Sequence, residues 1–203
     1  MKLKDLACVV LAGMSLWGCS AKKTETSSVS SVSITNSVKE EYPDLPEDNA
    51  FYEGDSDALV NFIENGTGVV FFGNPEKENS QKYSVYLNDV LKENDLQAAL
   101  FDLEKIQKNA ELSSQVNDLL NKESEKAIVF EKEEGPLVVF LNNGKVTAWD
   151  DETAGMNDVR SYWNEKKESA LKAKLGNACA ETKEAQKNSQ NKGCEKACTF
   201  GGD

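Results

Sequence analysis

The chain has 203 residues, of which 39% are hydrophobic, and its 35 acidic and 23 basic side chains give a formal net charge of −12. This length and apolar content suit one ordinary domain with appendages, and the negative charge argues against nucleic acid as a partner. The chain contains no histidine, the commonest general base and the commonest neutral metal ligand. Catalysis by a Ser-His-Asp or Cys-His arrangement is therefore excluded.

The amino-terminal sequence MKLKDLACVVLAGMSLWGCS indicates a targeting segment. A basic start precedes an apolar run from Leu6 to Leu16, which is too short to span a bilayer. The run ends in Leu16-Trp17-Gly18-Cys19, which resembles the lipobox of bacterial lipoproteins. The resemblance implies that residues 1–18 are a signal peptide and that Cys19 carries a lipid with two acyl chains, such as palmitate. The alternative is an ordinary secretory signal with an incidental cysteine.

Two acyl chains give a stable membrane anchor, whereas one gives only marginal binding. We therefore expect an extracytoplasmic protein whose first partner is the lipid bilayer, held through Cys19. Residues 19–48 are rich in Ser and Thr and contain Pro43 and Pro46. Such a composition buries too little apolar area to offset its ordering entropy. It predicts a flexible linker between the anchor and the folded domain.

From residue 49 to residue 170 strand-like and helix-like segments alternate, which predicts an α/β domain. A short strand, NAFYEG, precedes a helix that Asp55 or Ser56 can cap and that ends at Asn65-Gly66. The apolar run GVVFFG is typical of a central strand buried on both faces. A helix over 76–94, a strand QAALFDL and a helix over 110–122 follow.

The segment GPLVVFLNNGKVTAWD predicts a β-hairpin. Its two apolar strands flank Asn143-Gly144, a pair that suits a type I′ turn because both central positions need positive φ. A final helix is expected from Asn157 to about Lys174, with an apolar side formed by Val159, Tyr162, Trp163 and Leu171. The order β-α-β-α-β-α-β-β-α predicts a mixed sheet sandwiched by helices.

This order, with a proline before the hairpin, is similar to thioredoxin over about residues 49–170. The segment Gly135-Pro136-Leu137 looks like the cis-proline segment of that family, which also helps to bind extended peptides. More narrowly, ENGTGVVFFGNPEKENSQKY resembles thioredoxin-like bacterial lipoproteins of the bacteriocin-accessory type, which carry Gly-x-Pro-x-Cys-x-x-Cys after this strand. The resemblance implies a thioredoxin-like fold and a Gram-positive cell surface.

The alignment of these motifs places Lys77 and Ser80 at the two cysteine positions. Both sulfurs are missing, so the family's dithiol chemistry does not carry over, and no catalytic residue is assigned. A Ser-Lys pair can in principle support acyl transfer if the lysine is desolvated. The surrounding residues are charged or amidic, which favours a solvated helix turn. No cofactor and no metal site is expected.

Three cysteines remain in the tail, residues 171–203, which is expected to be helical or irregular. Outside the cytoplasm one disulfide is expected, and we favour Cys179 with Cys194 or Cys198, closing a helical hairpin across residues 182–192. A bridge between Cys194 and Cys198 would have helical i, i+4 spacing and be strained and reducible. Binding of a soft metal by three thiolates, and a bridge between two chains, are further alternatives.

The sequence thus predicts a membrane-anchored lipoprotein whose redox-inactive thioredoxin-like domain binds a protein or peptide. The alternative is an enzyme, a thiol-disulfide oxidoreductase or redox switch that uses the tail cysteines. A structural relic without a client is a third possibility. One acidic run, DDET after Trp149, could bind a cation, although a solvated loop is the favoured interpretation.

Overall fold

The computed structural model describes residues 38–122, 128–156, 159 and 161–191, without the side chains of 190 and 191. The strands are β1 Phe51–Glu53, β2 Gly68–Gly73, β3 Ala98–Asp102, β4 Leu137–Asn142 and β5 Lys145–Asp150. The helices are α1 Ser56–Asn65, α2 Glu78–Glu93, α3 Leu103–Lys108, α4 Ala110–Asn121 and α5 Glu165–Asn191, with a 3₁₀ turn at Phe130–Lys132. The α/β class is confirmed.

The five strands form one mixed sheet in the order β1-β3-β2-β4-β5. Strands β1, β3 and β2 are parallel, while β4 runs antiparallel to both β2 and β5. Every residue of the central strand β2 is buried, as the continuous apolar run predicts. This mixed sheet with its helices is compatible with a thioredoxin-like α/β fold.

Helices cover both faces of the sheet, so there are two hydrophobic cores. Alternate residues of each strand enter opposite cores because side chains in a strand alternate between faces. In β2, Val69 and Phe71 face one core, and Val70 and Phe72 face the other. Helices α2 and α5 pack on the first face, and α1, α3 and α4 pack on the second.

Local sequence signals predict one helix cap and one turn correctly. Asp55 caps α1, because its side chain accepts a hydrogen bond from the amide of Asp57 at 2.9 Å. Asn143 and Gly144 have φ values of 50° and 76°, as a type I′ turn requires. A side chain at Gly144 would also collide with the carbonyl of Glu64. Glycine is therefore needed here both for the turn and for the contact with the end of α1.

The linker expected over residues 19–48 does not extend to its predicted end. Residues 38–48, which we call the N-terminal strap, pack on the first face of the sheet. Val38, Tyr42 and Leu45 are fully buried there, and full burial of an aliphatic side chain contributes about 1.5–3 kcal/mol. Apolar residues spaced three or four apart within a polar segment were the available signal. Residues 19–37 lie outside the described residues.

The end of the domain also differs from the prediction. The last helix begins at Glu165, not at Asn157, and Val159 and Trp163 precede it. It continues through the expected boundary at residue 170 to Asn191, so residues 182–191 belong to one helix and form no helical hairpin. Leu171, Leu175, Ala178 and Cys179 of this helix enter the first core. The segment assigned to a tail is therefore part of the domain as far as Asn191.

Candidate functional site

The loop between β2 and α2 leads into a helix start that carries Lys77 and Ser80, the two residues that the motif alignment predicts at cysteine positions. Asn74 organises this loop: its carbonyl accepts a hydrogen bond from the amide of Lys77 at 3.0 Å, and its side chain accepts one from the amide of Glu76 at 2.9 Å. Its own amide donates to the hydroxyl of Ser80 at 3.0 Å. These three bonds fix the chain as it leaves the strand and enters the helix.

Lys77 and Ser80 lie at the first turn of α2, as the motif alignment predicts. Lys77 is the N-cap residue, is exposed and forms no side-chain capping bond. Ser80 is fully buried, and its hydroxyl would lie 3.9 Å from a Cβ placed on Gly135. The serine therefore faces the segment before Pro136, while the lysine faces solvent.

This geometry offers little for Ser-Lys chemistry. A lysine acts as a base near neutral pH only when burial or neighbouring charge destabilises its ammonium form. Lys77 is exposed to solvent, so its side chain is not desolvated. The Ser80 hydroxyl is already held by a backbone amide. The solvated helix turn is the interpretation that fits.

The peptide bond between Gly135 and Pro136 is cis. Gly135, Pro136 and Leu137 are all buried, so no part of this segment lies open to a peptide. The carbonyl of Gly135 accepts long hydrogen bonds from the side chain of Asn79 and from the amide of Gly155, each at 3.4 Å. The carbonyl of Gly135 is thus occupied by this chain's own residues.

Two residues that the sequence analysis did not single out organise this region. Asn79, which lies between Lys77 and Ser80, is only 3% exposed. Its side-chain nitrogen donates to the carbonyls of both Gly135 and Thr153. Thr153 belongs to the loop of residues 151–156 that follows β5. Extending the apolar stripe of α2 back by one turn, from Tyr83 to position 79, was the signal that could have revealed Asn79.

Two polar atoms at this contact have no hydrogen-bond partner among the described residues. They are the side-chain oxygen of Asn79 and the hydroxyl of Thr153, and both are buried. Buried polar groups usually have a partner, so this pair marks a place where donors are lacking. Three carboxylates lie on the segments that flank this contact, Glu133 and Glu134 before Gly135 and Asp151 in the loop after β5.

Of the tail cysteines, the structure describes only Cys179, which lies in α5 and forms no disulfide with another described residue. Its side chain is fully buried in the first core, and burial raises the pKa of its thiol to about 12. Cys194 and Cys198 lie outside the described residues. Neither the expected disulfide nor the alternatives are tested by what is described.

Across the described ranges, no helix combines the length and the apolar character that crossing a bilayer requires. Nor do three or more acidic or cysteine side chains of those ranges come together in a way that could hold a metal ion. No protein-family model, no curated protein and no solved structure matches this chain significantly.

Proposed function

We propose that this chain is an extracytoplasmic lipoprotein, anchored through Cys19, whose thioredoxin-like domain binds a protein or peptide and performs no dithiol exchange. The anchor rests on the lipobox-like sequence Leu16 to Cys19 and on the linker that follows it. The fold assignment is supported by the β1-β3-β2-β4-β5 sheet order and by the motif positions in the loop after β2.

The observation that carries the loss of redox function is the environment of Ser80. It occupies the buried position of the first turn of α2 beside Gly135, and its oxygen accepts a backbone hydrogen bond. A serine hydroxyl cannot exchange electrons with a disulfide, since exchange requires attack by a thiolate on sulfur. The same hydroxyl instead stabilises the loop, which gives the position a structural role.

Binding is the function left to this region of the surface. The segment Gly135 to Leu137 is covered, so a partner meets the residues around it: the loop of residues 151–156 and the exposed first turn of α2. The overall negative charge favours a partner whose surface is basic or neutral. The interface expected from the family backbone is therefore replaced by a surface formed from side chains.

A gain-of-function experiment tests the assignment of the site. We expect the full-length protein to show no reduction of insulin with dithiothreitol as the electron source, and the double variant Lys77→Cys, Ser80→Cys to acquire it. The matched control, Glu78→Cys with Gln81→Cys, has the same spacing one residue later and should remain inactive. Insulin reduction by the unaltered protein would contradict the proposal, and equal activity of both double variants would contradict the assigned positions.

Lipid attachment is tested separately by metabolic labelling. Cells expressing the protein and given labelled palmitate should incorporate label into the chain, and the Cys19→Ala variant should lose both the label and its sedimentation with membranes. The Cys179→Ala variant is the matched control, because the same substitution at a buried core cysteine should leave the label in place. Labelling that persists in Cys19→Ala would contradict the proposed anchor.

The alternative function, exchange by the tail cysteines, is distinguished by position. Gln186 of α5 donates to the carbonyl of Thr67 at 3.2 Å, so the helix end approaches the amino end of β2. Ser80 and Gly135 lie at the carboxyl end of the same strand. Activity abolished by Cys194→Ser but not by Ser80→Ala would favour an oxidoreductase that uses the tail cysteines.

A further inference from the structure

The N-terminal strap has its own internal hydrogen bonds. The amide of Tyr42 donates to the carbonyl of Val38 at 2.8 Å, and the amide of Leu45 donates to the carbonyl of Tyr42 at 3.0 Å. The ammonium of Lys39 donates to the carbonyls of Pro43 at 3.0 Å and of Leu45. The three buried side chains are spaced four and three residues apart, as on one side of a helix. The strap is therefore a short amphipathic segment that presents one apolar side.

A groove on the first face of the sheet receives this apolar side. The ring of Tyr42 packs edge-on against Phe71 of β2, with ring centroids 6.4 Å apart. Its hydroxyl reaches Gly73 at the end of the same strand, where an added Cβ would lie 2.3 Å from it. The strap also contacts Gln81 near the start of α2 and Lys92 near its end. The groove is therefore formed by α2 and the carboxyl end of β2.

The polar links between the strap and this groove are few and weak. The side-chain nitrogen of Gln81 donates to the carbonyl of Glu41 at 2.7 Å. Two ion pairs also join the strap to the domain, Lys105 with Glu41 and Lys92 with Asp48, but all four side chains are exposed to solvent. Exposed ion pairs contribute little to stability. The groove therefore holds the strap mainly through its three apolar side chains.

The strap fits the groove incompletely at Tyr42. This side chain is fully buried, yet its hydroxyl has no hydrogen-bond partner among the described residues, and neither has the side-chain oxygen of Gln81 at the same junction. Buried polar groups usually have a partner, and burying a hydroxyl without one opposes binding. A phenylalanine ring would fill the same space and bring no hydroxyl. The groove therefore suits a segment with phenylalanine at this position better than it suits the strap.

We propose that this groove binds an amphipathic segment of the partner, with apolar residues at the spacing of Val38, Tyr42 and Leu45 and phenylalanine at the central position, and that the strap is its internal competitor. The inference rests on the proposed binding function and names the chemistry of the partner. Amphipathic segments bind hydrophobic grooves through residues at such spacings. The strap competes at high local concentration because it belongs to the same chain, and its incomplete fit allows the partner to displace it.

The test uses the full-length protein in detergent and a fluorescein-labelled peptide of residues 38–48, VKEEYPDLPED, with phenylalanine in place of Tyr42. Fluorescence anisotropy should show this peptide binding about tenfold more tightly to the Val38→Ser variant than to the unaltered protein, because a weakened strap leaves more grooves open. The matched control Val129→Ser makes the same substitution at an exposed position and should leave the affinity unchanged. The Tyr42→Phe variant should bind the peptide more weakly, because its own strap fits better.

Hydrogen exchange measures the displacement directly, because the strap amides should exchange faster when the peptide is bound to the unaltered protein. Equal affinity for the unaltered protein, Val38→Ser and Tyr42→Phe would show that the peptide binds elsewhere and would overturn the groove, as would binding to none of them. The proposed function fails separately, if the unaltered protein reduces insulin. Should Val38→Ser fail to fold, Tyr42→Phe, which removes one buried oxygen, must still weaken binding, and unchanged affinity there overturns the site.

Discussion

Ser80 and Lys77 stand three residues apart, one buried and one exposed. The difference follows from helix geometry, because position 80 lies one turn before the buried Ser84 and on the core side of α2, while position 77 precedes the helix. The two side chains are therefore close in the chain but lie in different environments, one in the core and one in solvent. A reactive pair would require both to face one enclosed space.

Cys179 provides a prediction at the scale of one residue. A thiol whose pKa is raised to about 12 by burial carries almost no thiolate near neutral pH. In a variant whose other four cysteines are replaced by serine, we expect iodoacetamide to leave the folded protein unmodified at about pH 8 and to modify one thiol in denaturant. Mass spectrometry measures both states. Rapid modification of the folded protein would contradict the burial of this thiol.

At the scale of elements, one buried carboxylate joins three of them. Asp150, at the end of β5 and 1% exposed, accepts a hydrogen bond from Tyr83 of α2 at 2.8 Å and pairs with Lys174 of α5. A buried charge is costly unless it is paired and hydrogen-bonded. The packing of α2 and α5 against the sheet edge therefore depends on these two contacts.

The Tyr83→Phe variant tests this network. It removes one hydrogen bond to a buried carboxylate, so we expect a loss of about 1.5–3 kcal/mol in the free energy of unfolding. The control is Tyr86→Phe on the same helix, whose hydroxyl donates to Glu168 at 2.7 Å in a partly exposed position, and which should cost less than about 1 kcal/mol. Urea unfolding measures both, and equal losses would contradict the special role of Asp150.

The extent of α5 gives a second prediction at this scale. Deleting residues 171–203 removes Leu171, Leu175 and Cys179 from the first core, and we expect a loss of at least about 3 kcal/mol, at about 1.5–3 kcal/mol for each leucine, or failure to fold. Deleting only residues 192–203 should leave the thermal midpoint nearly unchanged, because it removes none of these side chains. Similar stability of the two truncated chains would indicate that the folded domain ends near residue 170 and would contradict this prediction.

At the scale of the whole molecule, the tyrosines determine the response to high pH. The pKa of all five is raised, chiefly by burial, and that of Tyr86 reaches about 12. Above about pH 10 the unfolded chain loses phenolic protons that the folded chain retains, so the unfolded state is favoured. This contribution to stability is complete below pH 10 and is lost as the pH rises further.

We therefore expect the urea midpoint to fall steadily above about pH 10, together with a rise in absorbance at the wavelength of ionised tyrosine. Replacing the fully buried Tyr42 with Phe should reduce the slope of this fall, whereas replacing the half-buried Tyr162 should change it less. A midpoint that stays constant through this pH range would contradict the retention of phenolic protons in the folded state.

Local sequence patterns by themselves determined the class, the central strand and the hairpin of this protein. The run GVVFFG and the pair Asn143-Gly144 suffice because burial on both faces and positive φ are properties of a few adjacent residues. The sequence also predicted that Lys77 and Ser80 lie at the start of a helix after the central strand, where the structure has them; their correspondence to cysteine positions stays a prediction. These signals need no knowledge of distant contacts.

Only the tertiary structure decided where the domain begins and ends and what surrounds the candidate site. The strap and the second half of α5 have polar compositions, and their few apolar residues enter the core because distant strands provide the surface. Likewise, Asn79 of α2 contacts Gly135 and Thr153, which lie 56 and 74 positions further along the chain. The tertiary fold brings these residues together, and no local sequence pattern predicts which hydrogen-bond donors will be missing where they meet.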